Sequence, residues 1–130
     1  MKIRPINYDF SICKLKDSSQ IDFSDEFCFV GKTDEELSLV CTINHVPADT
    51  LQRDDGWKAF RIEGVLDFSL VGILSKISGI LAENNIGIFA VSTYHTDYIL
   101  TKAENFAKAL EVLEAAGYEV ITCPPPESPF

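Results

Sequence analysis

Two short stretches of this chain carry groups that could recognise a charged small molecule. One is a loop with Asp67 and Ser69 that ends at Gly72 and Ile73 and opens a helix; the other, one strand later, holds Thr93, Tyr94, Thr96 and Asp97. A glycine at a strand-to-helix turn lets backbone approach a ligand closely. The helix N-terminus then offers unpaired N–H groups and a partial positive charge to an anion such as a carboxylate. Asp97 supplies the opposite charge, suited to an ammonium or guanidinium. This is non-covalent recognition. His95 stands two residues before Asp97, yet neither Ser92 nor Thr93 sits at the strand-to-helix elbow that exposes a nucleophile. No arginine lies between Val65 and Gly72, where phosphate chemistry in such a loop would want one. The expectation is a protein with no catalytic residues and no cofactor.

The second half of the chain supplies the elements that would position these groups. Residues 57–64 alternate, with Phe60 and Ile62 against Arg61 and Glu63, the period of a half-buried strand. Ile73, Leu74, Ile77, Ile80 and Leu81 then form one apolar stripe at helical spacing, ended by Asn84-Asn85. Residues 86–92 and 97–101 read as a hairpin. Residues 104–116 form a second amphipathic helix that stops at Gly117, and residues 118–122 form a last strand. The order βαββαβ predicts an α+β, ferredoxin-like sheet with two helices on one face. In the first half, residues 8–15, 27–31 and 37–43 read as strands. There is room for a short helix between Lys16 and Glu26 and for a single turn between Pro47 and Gly56. The polar run of residues 52–56 marks a boundary. The expected organisation is a reduced βαββ module over residues 1–56, a complete one over 57–123, and a proline-rich tail over 124–130.

The chain holds 130 residues with a net charge of −9, spread as 11 acids against 6 bases in residues 1–56 and 9 against 5 in residues 57–130. An acidic chain with no basic face is poorly matched to nucleic acid or to an anionic membrane surface. No secretory layout opens the sequence and no run of about 18 apolar residues could span a bilayer, so a cytoplasmic protein is expected. Cys13, Cys28, Cys41 and Cys123 are widely spaced, without a CxxC pair or clustering with His45 or His95. They read as reduced core thiols and not as metal ligands.

Residues 57–74, with Asn85-Ile86-Gly87-Ile88, Ser92-Thr93-Tyr94 and Thr96-Asp97-Tyr98-Ile99-Leu100, resemble the ACT domain. More narrowly, they resemble small bacterial tandem ACT proteins related to Castor-type arginine sensors, to which the segment from Lys32 to Val40 is also similar. The resemblance implies two modules with an amino acid held where they meet. Ser38 and Leu39 would come from the first module, and Gly72, Ile73, Thr93, Tyr94, Thr96 and Asp97 from the second; from the loop residues themselves, Asp67 is a further candidate and Ser69 is either a ligand contact or the helix N-cap. The loop carries Leu70 and Val71 instead of acids, so it lacks a dedicated guanidinium clamp. The expected function is that of a non-catalytic sensor of an amino acid or similar small effector, acting on a regulated protein partner and self-associating as a dimer. The alternative is an ACT-fold interaction protein with a vestigial pocket, working through protein contacts.

Overall fold

The computed structural model describes residues 1–63 and 72–121. Seven strands and two α-helices form among them: β1 (Lys2–Leu15), β2 (Cys28–Lys32), β3 (Leu37–Thr42), β4 (Gln52–Ile62), α1 (Ile73–Glu83), β5 (Phe89–Ser92), β6 (Asp97–Lys102), α2 (Ala103–Ala115) and β7 (Glu119–Val120), with a single 3-10 turn at Ile43–His45. The chain divides into two compact units. One comprises Met1–Asn7 and the chain from Lys58 onward, and the other is Tyr8–Trp57, so β1 and β4 contribute residues to both.

In the first unit the predicted βαββαβ order is present as β4, α1, β5, β6, α2 and β7. The apolar stripe of α1 sends Ile77 and Leu81 into a core with Phe60, Ile62 and Ile99 from the strands and Ala109 and Leu113 from α2. Both helices end alike. Gly117, at φ 105°, follows α2 and lets Tyr118 N–H reach the Leu113 carbonyl at 3.0 Å, while Asn85, at φ 60°, lets Ile86 N–H reach Leu81 at 2.9 Å. A left-handed residue just past the helix satisfies the last carbonyls in this way. One feature departs from the expected sheet. The terminal strand β7 pairs in parallel with the start of β1, Lys2 opposite Glu119 and Ile3 opposite Val120, and the Lys2 carbonyl accepts the Glu63 N–H at 2.9 Å. The chain's own first residues, read as strand only from Tyr8, thus pair with the last strand, and Ile3 is fully buried there.

In the second unit β3 is flanked by β1 and β2, both antiparallel to it. Cys13, Leu15, Leu39 and Cys41 make a small core against Ile21, Cys28, Leu37 and Val46. The helix expected between Lys16 and Glu26 does not form; the segment is a succession of turns. Its aspartates account for this. Asp17 accepts the Ser19 N–H at 2.9 Å, Asp22 accepts the Ser24 N–H at 3.0 Å, and Asp25 accepts the Phe27 N–H at 3.2 Å. Each such bond offers the backbone an alternative to the helical one. The polar run of residues 52–56 belongs to β4 and is not a loop. Buried Ser11 donates to Asp55 at 2.7 Å and Arg53 grips the same carboxylate at 3.0–3.1 Å, so these two charged side chains are paired while the strand continues.

Candidate functional site

Gly72 is the N-cap of α1 at φ 81°, a left-handed conformation that favours glycine, and no side chain caps this helix end. The first turn holds no acid. Its positive end is therefore uncompensated among the described residues. Gly72 and Ile73 line a cavity of about 310 Å³ together with Met1, Lys76, Ile80, Ala116, Gly117 and Tyr118. Lys76 N–H bonds the Gly72 carbonyl at 2.8 Å, the first helical bond, which fixes that residue one turn above the cap. Lys76, exposed at the wall, adds a second source of positive potential. The same cavity is also lined by the turn that ends α2, the negative end of that helix's dipole. An anion is thus favoured beside Gly72 and Lys76, and the α2 terminus supplies negative potential to the same cavity.

Thr93, Tyr94, Thr96 and Asp97 lie at the β5–β6 turn. Thr93 N–H bonds the Thr96 carbonyl at 2.8 Å, and the Thr93 hydroxyl donates to the same carbonyl at 3.1 Å. Thr96 is buried and donates to the Ile62 carbonyl at 2.7 Å, which ties the turn to the end of β4. Asp97 accepts the Ser92 hydroxyl at 2.5 Å across the hairpin, and Tyr94 is 77% exposed, edge-on to the His95 ring at 5.2 Å. None of these four lines the cavity at Gly72. Ser38 and Leu39 belong to the other unit. Ser38 donates to Glu36 at 3.3 Å, and Leu39 is buried among Cys13, Leu15 and Cys41. Asp67, Ser69, Cys123 and the tail of residues 124–130 lie outside the described residues. Lys76, Ile80 and Tyr118 were not legible as site residues; Lys76 had only its place four residues beyond Gly72 to mark it.

Beyond the cavity, a short polar chain crosses the strands of this unit. Arg4 donates to Glu63 at 3.0 Å, Arg61 reaches the same carboxylate at 3.5 Å, and Arg61 also donates to the Tyr98 hydroxyl at 3.3 Å. Partial burial would raise the Glu63 carboxyl, but the two guanidiniums outweigh it and hold it below its ordinary range. Among the described residues no three His, Cys, Asp or Glu side chains converge as a metal-ligand set, and no helix is long and apolar enough to cross a membrane.

Residues 52–115 match the family model for the ACT domain, and residues 8–49 match a model described as an N-terminal domain. No curated protein sequence matches the chain. Among solved structures, the Atu0741 protein of Agrobacterium tumefaciens is 30% identical with a TM-score of 0.84, over 95% of this chain and 94% of that one. VC0802 of Vibrio cholerae, described as a protein of unknown function and possible transport protein, is 18% identical over 86% of each chain with a TM-score of 0.68. The regulatory subunit of aspartate kinase from Thermus thermophilus, in ligand-free form, is 9% identical with a TM-score of 0.64, over 90% of this chain and 98% of that one. The last two share the fold. The chain belongs to one family with Atu0741, and its residues 52–115 match the ACT domain.

Proposed function

We propose that this chain is a non-catalytic regulatory protein that binds an amino acid or similar small effector. The observation that carries the reading is the α1 N-terminus, uncapped by any side chain, opening onto a cavity that also meets the end of α2. A zwitterion suits that pairing: its carboxylate on the Gly72 and Ile73 N–H groups near Lys76, its ammonium toward the α2 terminus. The resemblance to Castor-type arginine sensors supplies the effector class and leaves its side chain open. Residues 1–56 are read as a reduced ACT-like module preceding the ACT domain of residues 57–123. Supporting this, each half carries a hairpin whose turn opens with threonine, Thr33 and Thr93, closed by bonds of 2.9 and 2.8 Å. Self-association as a dimer and action on a protein partner in the cytoplasm complete the reading.

A thermal-shift screen against the twenty amino acids tests it, because a ligand that binds the native state alone at a hundred times its Kd adds about 2.7 kcal/mol of stability. The expected result is a selective rise, with amide NMR shifts at Gly72, Ile73 and Lys76, that Lys76→Glu weakens. A flat response to all twenty removes the reading. A second reading, an interaction protein with a vestigial pocket, is favoured by the β5–β6 turn. There Thr93, Thr96 and Asp97 spend their side chains on internal bonds while Tyr94 stands exposed. Co-purification of a stable partner that Tyr94→Ala releases, without any effector response, would select it.

A further inference from the structure

A larger cavity, about 610 Å³, lies wholly within the unit Tyr8–Trp57. That volume falls in the range of roughly 300–1,000 Å³ usual for small-ligand sites. Its floor is a strand surface. Lys32 stands opposite Leu37 in the β2–β3 ladder and Leu37 opposite Leu15 in the β1–β3 ladder, so these three share one face, and Val30, two residues before Lys32, shares it too. Ile21, Phe23 and Leu51 complete the apolar wall. Phe23 is 73% exposed, Leu51 58% and Val30 42%, so three of the large apolar side chains most open to water converge on this one hollow. Exposed apolar surface that gathers in a concavity marks a binding site more than scattered residues do. The Lys32 ammonium has no hydrogen-bond or ion-pair partner among the described residues. It stands beside the apolar floor, while Asp17, Asp34, Glu35 and Glu36 occupy other parts of the lining.

We propose that this cavity is a second ligand site, for a molecule with one carboxylate on an apolar body. The carboxylate pairs with Lys32, the body lies on Leu15, Leu37 and Val30, and Phe23 and Leu51 cover it. The acids of the lining repel a second negative charge and tolerate an ammonium, so the ligand is either an alkanoate or a free apolar amino acid. Titration of the full chain with hexanoate and, separately, with phenylalanine, followed by amide NMR, tests the site and tells the two sources apart.

The expected result is a saturable shift of residues 21–23 and 30–37. Hexanoate alone producing it assigns an alkanoate, and phenylalanine alone assigns the amino acid. Lys32→Gln should weaken binding about three- to tenfold, the loss of one partly exposed charged contact. Phe23→Ser should abolish it, with both variants keeping the wild-type far-UV spectrum, since both positions are exposed. No saturable shift with either probe, or binding unchanged in both variants, overturns the proposal. Shifts confined to residues 72–76 also overturn it, while leaving the effector site of the ACT domain intact, so the two readings fail separately.

Discussion

In the turn of residues 33–36 the Thr33 hydroxyl accepts the N–H groups of Glu35 and Glu36 at 3.1 and 3.2 Å. In the turn of residues 93–96 the Thr93 hydroxyl also bonds within its turn, donating to the Thr96 carbonyl at 3.1 Å and accepting the Thr96 N–H at 3.4 Å. Both turns join antiparallel strands, yet the chain that crosses between first strand and hairpin differs completely. In one unit it is α1, whose Ile77 and Leu81 are fully buried. In the other it is a run of aspartate-centred turns that converge on a polar anchor. Asp25, with its side chain 1% exposed, accepts the Thr42 N–H and the Thr42 hydroxyl, both at 2.9 Å, and Thr42 in turn meets His45 at 2.8 Å. The same strand scaffold is covered once by an apolar stripe and once by a buried carboxylate. Burial of area drives the first cover, and satisfied hydrogen bonds hold the second.

That contrast has measurable consequences. Leu81→Ala removes a fully buried side chain from the helix-covered core and should cost about 2–5 kcal/mol in urea unfolding. A loss under 1 kcal/mol would show that α1 is not held by its stripe. Asp25→Ala leaves the Thr42 and Phe27 donors without their acceptor and should cost about 2–3 kcal/mol. Because the anchored segment contains no helix, the far-UV helical signal should survive while the fluorescence of Trp57, in the same unit, changes. Thr96→Val deletes the buried bond to the Ile62 carbonyl, for about 1–2 kcal/mol in the same assay.

Smaller still is the effect of Glu63. Its folded pKa lies below its ordinary value near 4.5, so its contribution is present above that value and is lost as pH falls through the folded pKa. Glu63→Gln should therefore be less stable than wild type at pH 7, by about 0.5 kcal/mol, and equal to it near pH 2. The smallest signal is chemical. Burial first, then neighbouring Cys13, Asp25 and Cys28, push the Cys41 thiol up to about 12, so it stays protonated at pH 8. Iodoacetamide should label it in urea and not in the native protein; rapid native labelling would mean that its unit opens readily.

The ACT unit was legible because its signals are local. Apolar spacing in Ile73 to Leu81, the Asn84-Asn85 stop and Gly117 each follow from the geometry of a single helix. The expectation of a helix between Lys16 and Glu26 misjudged the competition between Asp and Ser side chains and the helical backbone. That the polar run of residues 52–56 is strand is not legible locally, because its partner Ser11 is distant in sequence. The same holds at the cavity beside Gly72, whose lining joins residues from both ends of the chain.

By itself the sequence determined the element order from Phe60 to Tyr118 and the helix stops, which depend on residues within a turn or two of one another. Only the tertiary structure decided that the first residues pair with the last strand. It alone brought Asp25 to Thr42, and set Phe23, Leu51 and Lys32 around one cavity. Those arrangements rest on contacts between residues far apart along the chain, and no local periodicity encodes where distant segments meet.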